Sequence, residues 1–267
     1  MIKAIAEYQF IQNAIIACIL ASVVCGIIGV IIIEKKLVML SGGIAHTSYG
    51  GIGLGYLMGF EPIIGALLFS VSAALGIGYI NQKGYSRSEV LIGLFWSVGM
   101  ALGILFVALI PGYPPELSTY LFGNILSVTK TDIYFMAVLS FIVISTITIL
   151  FNYWKVFLFD EEFAQILGLK TTLLQYLVLV LIALTVVVLI KAVGIVLVLA
   201  LLTAPAASAG LITHNLAKRM VYSVILGCIF CISGLFISYY ANIASGAAIV
   251  LIACACFLVL YLFNYGR

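Results

Sequence analysis

The stretch SGGIAHTSYGGIGLGYLMGF, Ser41 to Phe60, is crowded with glycines and contains one of the two histidines of the chain. Read as a helix, it places a glycine or a threonine at every fourth position. A stripe of such small residues lets the backbones of neighbouring helices approach closely within a lipid bilayer. We therefore predict a helix-packing surface that consists of Gly43, Gly51, Gly55 and Gly59.

The adjoining face of this helix carries His46, and glycines occupy the positions four before, four after and seven after it. Because none of these neighbours has a side chain, we expect the imidazole to border an open space. Ionisable residues inside membrane spans are costly, which makes His46 a candidate metal ligand. The other interpretation is a structural histidine that forms a hydrogen bond with a facing backbone.

The composition of the chain is that of an integral membrane protein. Of 267 residues, 65% are hydrophobic and 8% are charged, and the apolar runs reach about 20 residues, the length of a helical span. The basic residues stand singly or in pairs, which argues against nucleic acid as a partner and leaves membrane lipid as the surroundings. The sequence contains no GxxxxGK[ST], HExxH or GxSxG motif. It therefore predicts no enzyme, and any ATP hydrolysis would need a partner subunit.

Hydrophobic runs bounded by charges, turns and prolines predict an all-α polytopic protein with one transmembrane domain over residues 1–267. The predicted spans are residues 10–33, 44–60, 63–81, 89–110, 131–153, 172–190, 193–211, 220–240 and 244–264. This makes nine transmembrane helices, or eight if the glycine-rich second segment is re-entrant. Residues 119–132 are too few to cross the bilayer, and we expect them to form a half-helix on the outer side.

The distribution of basic residues orients the chain. If the loop with Lys35 and Lys36 is cytoplasmic, most of the 12 basic residues fall on that side. The C-terminus is then cytoplasmic, and the N-terminus is outside for nine spans or inside for eight. On the same side, residues 159–170 predict a short surface helix whose acidic residues lie near its N-terminus, where the helix dipole favours them.

A second candidate ligand, Glu89, lies at the predicted inner end of the span over residues 89–110. An imidazole and a carboxylate together suit divalent zinc, manganese or iron. Coordination by His46 and Glu89 alone would be weak, which is compatible with an ion that must be released after transport. The other interpretation is that Glu89 is an interfacial acid that pairs with Arg87 or is solvated.

Five motifs in family order resemble the permease subunit of the zinc/manganese/iron ABC importer family, often called ABC-3. They are EKKLVMLSGGIAHTSYGGIGLGYL (Glu34 to Leu57), SEVLIGLFWSVGMALGIL (Ser88 to Leu105), TYLFGNILSVTKTDI (Thr119 to Ile133), DEEFAQILGL (Asp160 to Leu169) and KAVGIVLVLALLTAPAASAGLI (Lys191 to Ile212). Together they extend across nearly the whole chain, and the ordered set is far more specific than any one motif.

The resemblance implies a type II-like ABC importer permease in the plasma (inner) membrane of a prokaryote. It implies a homodimer that binds two cytoplasmic ABC ATPase subunits and receives metal from an extracytoplasmic metal-binding receptor. The divalent metal ion would be the transported substrate, ATP would be used by the partner subunit, and no cofactor would be bound permanently.

The resemblance also implies a coupling helix that docks on the ATPase and follows the proline of the APAASA motif. In this sequence the corresponding segment is Pro205 to Arg219. The residues expected to contribute are Pro205, Ala206, Ala207, Ser208, Leu211, His214, Lys218 and Arg219.

One position departs from the family pattern. The pattern has an aspartate four residues before the histidine, one helical turn away on the same side. Here that position is Gly42. The departure shifts weight onto Glu89 as the partner of His46 and implies an altered choice of metal or a transient contact.

A different class of function is a secondary transporter or channel driven by an ion gradient, with no ATPase. Such proteins usually carry more intramembrane charge than this chain does. A membrane scaffold that transports nothing is a third class. Association with an ATPase would separate the first function from both.

Overall fold

The computed structural model describes residues 7–83, 88–112 and 118–265, and every regular element in these ranges is helical. The helices are α1 (Gln9–Glu34), α2 (Val38–Met58), α3 (Pro62–Gln82), α4 (Ser88–Ala108), α5 (Ser118–Phe122), α6 (Lys130–Ile149), α7 (Phe151–Phe159), α8 (Glu161–Ile166), α9 (Thr171–Val193), α10 (Ile195–Ile212), α11 (Leu216–Ala241) and α12 (Ser245–Tyr265). A 3₁₀ turn, Ile125–Ser127, follows α5. The all-α prediction is confirmed.

Contacts divide the chain into two compact units. The first comprises residues 1–34, 119–149 and 188–267, and so includes α1, α6, α10, α11 and α12. The second comprises residues 35–118 and 150–187, and so includes α2, α3, α4, α7, α8 and most of α9. The single transmembrane domain predicted over residues 1–267 stays a prediction.

Eight helices in the described ranges are long and apolar enough to cross a membrane, namely α1, α3, α4, α6, α9, α10, α11 and α12. Helix α2 is the exception, although its 21 residues match the 21 of α3. It runs unbroken for about 31 Å at 1.5 Å per residue. Most residues of α2 are buried, so its glycines and polar residues pack against other parts of the protein.

The predicted span over residues 131–153 is wrong at its C-terminal end. Helix α6 ends at Ile149, and α7 begins after Leu150, whose φ of −100° and ψ of 18° interrupt the helix. In α7, Trp154 and Phe157 are fully buried. The apolar sequence continues through this break, so hydropathy alone carries no signal for it.

The predicted short acidic helix is confirmed as α8. The side chain of Asp160 caps its N-terminus and accepts a hydrogen bond from the backbone N–H of Phe163 at 3.0 Å. Within the same unit, Nζ of Lys35 lies 2.7 Å from Oε2 of Glu161 and 3.6 Å from the centroid of the Phe157 ring. These contacts attach α8 to the start of α2.

Candidate functional site

The candidate site lies on α2, which packs parallel to α4. A Cβ atom placed on Gly43 would lie 2.7 Å from Cγ2 of Ile92, and one placed on Gly53 would lie 2.6 Å from the carbonyl oxygen of Gly103. Residue numbers rise together along the two helices, so they run in the same direction. The backbones approach too closely for side chains on this face of α2, which is the packing that small residues permit in a membrane.

A different set of α2 glycines packs against α3. Gly51 lies against the backbone of Gly65, and a Cβ atom on Gly55 would lie 2.7 Å from Cα of Pro62, so α3 runs antiparallel to α2. The glycines that were predicted to form one stripe therefore lie on two faces of α2, one against α4 and one against α3. Gly59 belongs to neither face, and its assignment to the stripe is wrong: it ends α2 in the left-handed conformation with φ of +73°, and a Cβ atom there would meet nothing within 4 Å.

His46 projects from α2 onto Trp96 of α4. The two rings stack with their centroids 4.0 Å apart and their planes 10° from parallel. Nδ1 of the imidazole is buried and has no hydrogen-bond partner among the described residues, while the residue as a whole is half-buried. The facing element therefore supplies an aromatic ring, and the backbone hydrogen bond of the structural-histidine interpretation is not made at Nδ1.

Gly42 is also covered by Trp96. A Cβ atom on Gly42 would lie 3.4 Å from Cζ3 of the indole, which is ordinary van der Waals contact. The indole thus lies alongside the position where the family pattern has a carboxylate. Trp96 was not a candidate from the sequence, because only the register of α4 against α2 brings it next to His46.

Glu89 is not brought next to His46. It is exposed in the first turn of α4 and precedes Trp96 by seven residues, an offset of about 10 Å along the helix at 1.5 Å per residue. Within the described parts of the chain, no three or more histidine, cysteine, aspartate or glutamate residues are grouped so that they could hold a metal ion. A metal ion at His46 would therefore not be held by three or more such side chains of the described chain.

The buried acid of the first unit, Asp132, was not a candidate from the sequence. It accepts hydrogen bonds from the backbone N–H and the hydroxyl of Thr129, at 3.0 and 2.6 Å, and pairs with Nζ of Lys191 at 3.2 Å. These partners satisfy its carboxylate. Asp132 is therefore explained as the residue that stabilises the start of α6.

The predicted coupling segment does not form a separate helix. It consists of the end of α10, a connection over residues 213–215, and the start of α11. Pro205, Ala206 and Ser208 are buried within α10, so they are not accessible to a partner subunit in this structure. Ala207 and Leu211 are half-buried, whereas His214 and Lys218 are exposed. Docking through the accessible residues stays a prediction.

Arg219, also in the predicted docking set, is engaged within the protein. Its guanidinium forms an ion pair with Glu34 at the end of α1, and a Cβ atom on Gly210 would lie 2.9 Å from its Nη2. The side chains of Arg219 and Glu34 are 14% and 28% exposed, so the pair is partly buried. This contact gives Arg219 a role in joining α1 to α11.

We expect Arg219→Glu to lower the free energy of unfolding by about 1–3 kcal/mol, because a charged hydrogen bond is lost and two carboxylates then face each other. Thermal unfolding of the purified protein measures this. The double variant Glu34→Arg with Arg219→Glu should recover part of the lost stability. The control Lys155→Glu, at an exposed position of α7, should have little effect. Equal stability of Arg219→Glu and wild type would contradict the role of the pair.

Comparisons with known proteins agree with this architecture. The profile of the family described as "ABC 3 transport family" matches residues 7–264. The chain is 40% identical to "Uncharacterized membrane protein slr2045" of Synechocystis sp., over 97% of this chain and 92% of that protein. It is 36% identical to "Manganese transport system membrane protein MntC" of Listeria monocytogenes, over 98% and 93% of the two chains.

Two solved structures share the fold. The chain described as "PsaBC from Streptococcus pneumoniae in complex with Fab" superimposes with a TM-score of 0.87 at 33% identity, covering 97% of this chain and 94% of that one. The chain described as an inward-facing "putative metal-chelate type ABC transporter" gives a TM-score of 0.78 at 17% identity over 97% and 88%. At that lower identity the likeness concerns the fold alone.

Proposed function

The chain belongs to the ABC 3 transport family, and from this premise we propose that it imports zinc, manganese or iron by ATP-driven alternating access. It is a metal-importer permease, a transport subunit rather than an enzyme. The observation that carries the proposal is the half-buried imidazole of His46, whose Nδ1 has no protein partner in the described chain. An imidazole that makes no hydrogen bond at Nδ1, on a helix of span length, suits the brief coordination that a transported ion requires.

The relatives support a metal ion as the cargo. Relatives from Listeria and Streptococcus are named for manganese transport or import, so manganese belongs in any set of ions that is tested. Zinc and iron remain in that set because imidazole suits both of them.

The proposed assembly is a homodimer of this chain with two cytoplasmic ATPase subunits and an extracytoplasmic metal-binding receptor. ATP binding would close the ATPases, and the motion would reach the spans through the connection between α10 and α11. The close packing of α2 against α3 and α4 supports a movement of these helices as rigid elements, with small relative shifts.

Nine spans are the proposed topology. Helix α2 lies parallel to α4 along its length, and α4 is long and apolar enough to cross the membrane. A helix of equal length packed parallel to a spanning helix crosses the same thickness. With the C-terminus in the cytoplasm, nine spans put the N-terminus outside, which accessibility of a cysteine introduced at each end to a membrane-impermeant reagent would test.

Reconstitution tests the proposed function. The chain is placed in vesicles with its ATPase subunits and receptor, and uptake of Mn²⁺, Zn²⁺ and Fe²⁺ is measured with and without ATP. ATP-dependent uptake of at least one ion, with metal-stimulated ATP hydrolysis, is the expected result. Uptake that follows an ion gradient without the ATPase would instead establish the secondary transporter, and no uptake at all would contradict both.

The docking proposal predicts that Lys218→Glu lowers co-purification with the ATPase and metal-stimulated ATP hydrolysis. Lys218 is exposed at the start of α11, so a new acidic group there changes the surface without disturbing packing. The matched control is Lys130→Glu, an exposed position at the start of α6 on the predicted outer side. Equal co-purification of the two variants and wild type would exclude this surface.

A further inference from the structure

We propose that Trp96 holds the His46 imidazole in one orientation beside a position 42 that lacks a carboxylate, and that this arrangement makes the site select zinc-like ions over manganese. The inference rests on the proposed function, because it concerns the ion that His46 binds. Trp96 is a positioning residue in this proposal, since it acts on the ion through the imidazole.

The first step is the stack itself. With centroids 4.0 Å apart and planes within 10° of parallel, the indole fixes the plane of the imidazole of His46. A histidine that ligates a metal is normally oriented by a hydrogen bond from its second nitrogen. That bond is missing at Nδ1, so the aromatic contact with Trp96 is what orients the ring.

The second step is that the indole borders position 42 without filling the space beside it. A Cβ atom there would touch Cζ3 of Trp96 at 3.4 Å, which is ordinary van der Waals contact. Glycine at this position therefore leaves the stack without an oxygen ligand from position 42. A carboxylate introduced there would lie one helical turn from His46, on the same side of α2.

The third step concerns the ligand chemistry. Imidazole suits zinc, copper, iron and nickel, whereas carboxylate, carbonyl and water oxygens suit manganese. This chain has the imidazole of His46 and a glycine at position 42. Glu89 precedes Trp96 by seven residues, an offset of about 10 Å along α4 by helix rise. A nitrogen ligand without a nearby carboxylate favours zinc and its neighbours over manganese.

Fluorescence of Trp96 provides a direct test, because Co²⁺ is paramagnetic and quenches an indole at contact distance. The chain has 2 tryptophans, and Trp154→Phe leaves Trp96 as the sole reporter. Trp154 is fully buried, and its Nε1 has no hydrogen-bond partner in the described chain, so phenylalanine keeps an aromatic ring there without removing a hydrogen bond. The full-length protein in detergent is titrated with Co²⁺, and then with Zn²⁺ or Mn²⁺ as competitors.

We expect Co²⁺ to quench Trp96, and Zn²⁺ to reverse the quenching at a lower concentration than Mn²⁺. For each competing ion we measure the concentration that displaces half of the Co²⁺. Adding Gly42→Asp should lower the ratio of the Mn²⁺ concentration to the Zn²⁺ concentration. Quenching that persists in His46→Ala, absence of quenching, an unchanged ratio in Gly42→Asp, or displacement by Mn²⁺ at or below the Zn²⁺ concentration would each overturn the proposal.

The positioning role has its own readout. Trp96→Leu removes the stack, and we expect Zn²⁺ affinity, measured by equilibrium dialysis, to fall about 10–100-fold, the usual effect of losing a group that orients a metal ligand. Trp96→Phe keeps an aromatic face and should restore most of it. Wild-type affinity in Trp96→Leu would overturn the role, as would equal losses in the two variants. If Trp96→Leu does not fold, the comparison of Trp96→Phe with wild type and the Gly42→Asp titration decide.

These measurements need neither ATPase nor receptor, so the two proposals fail in different ways. Ordered displacement of Co²⁺ without uptake in vesicles would leave this inference standing and contradict import. Uptake that depends on His46, with manganese bound as tightly as zinc, would leave import standing and overturn the role given to Gly42 and Trp96.

Discussion

His46→Ala is expected to reduce the initial rate of metal uptake by at least about 10–100-fold, because losing even a group that only orients a metal ligand has an effect of that size. No other histidine lies on α2, and no group of three or more potential ligands lies elsewhere in the described chain. The described chain therefore offers no clustered set of ligands that could replace the imidazole. Uptake per molecule of protein in reconstituted vesicles measures the loss.

The control for this variant is Met58→Ala at the end of the same helix, where the side chain is 68% exposed. It should transport metal as wild type does. Both variants should assemble with the ATPase and retain basal ATP hydrolysis, since His46 lies within the packed helices rather than on an exposed surface. Wild-type uptake by His46→Ala would contradict the role that the proposed function gives to His46.

The second large effect is expected from Gly51→Val, which should prevent normal packing of α2. A side chain on Gly51 meets the backbone of Gly65, and backbone atoms cannot move aside as the end of a flexible side chain can. Extra carbon atoms forced into a packed interior cost about 1–3 kcal/mol, or more where no rearrangement is open. We expect a lower Tm and a reduced yield of folded protein in detergent.

The same substitution at Gly93 is the matched control. Gly93 is an exposed glycine of α4, and a Cβ atom there meets nothing within 4 Å. Gly93→Val should change the free energy of unfolding by no more than about 0.5 kcal/mol, as surface substitutions usually do. If the two variants had the same Tm, the close approach of α2 and α3 would not be a stabilising contact.

Much of the architecture could be predicted from the sequence because membrane spans are recorded locally, in runs of apolar residues. All-helical structure and the short acidic helix α8 are confirmed. The end of α6 was not predictable in this way, because residues on both sides of Leu150 are apolar and the break is a matter of backbone angles. The unbroken length of α2 could not be predicted from hydropathy either, since glycine and polar residues lower the hydropathy of this segment.

Only part of the candidate site could be predicted from the sequence. His46 could be identified from the sequence because an ionisable group in a membrane span is costly wherever it lies. Its neighbour Trp96 could not be, since the stack depends on how α4 is aligned with α2. Likewise, the basic residues near the predicted cytoplasmic surface can be counted, but only the structure shows that Arg219 is paired with Glu34 while Lys218 is exposed.

The sequence by itself determined the class of protein, most of its helical spans, its family motifs and the unusual Gly42 before His46. These features follow from composition and short-range spacing, which need no knowledge of neighbouring helices. The tertiary structure decided which glycines face α3 and which face α4, and that an indole covers the position of the missing carboxylate. Those facts depend on the register and direction of helices distant in the chain, and close packing of backbones sets both.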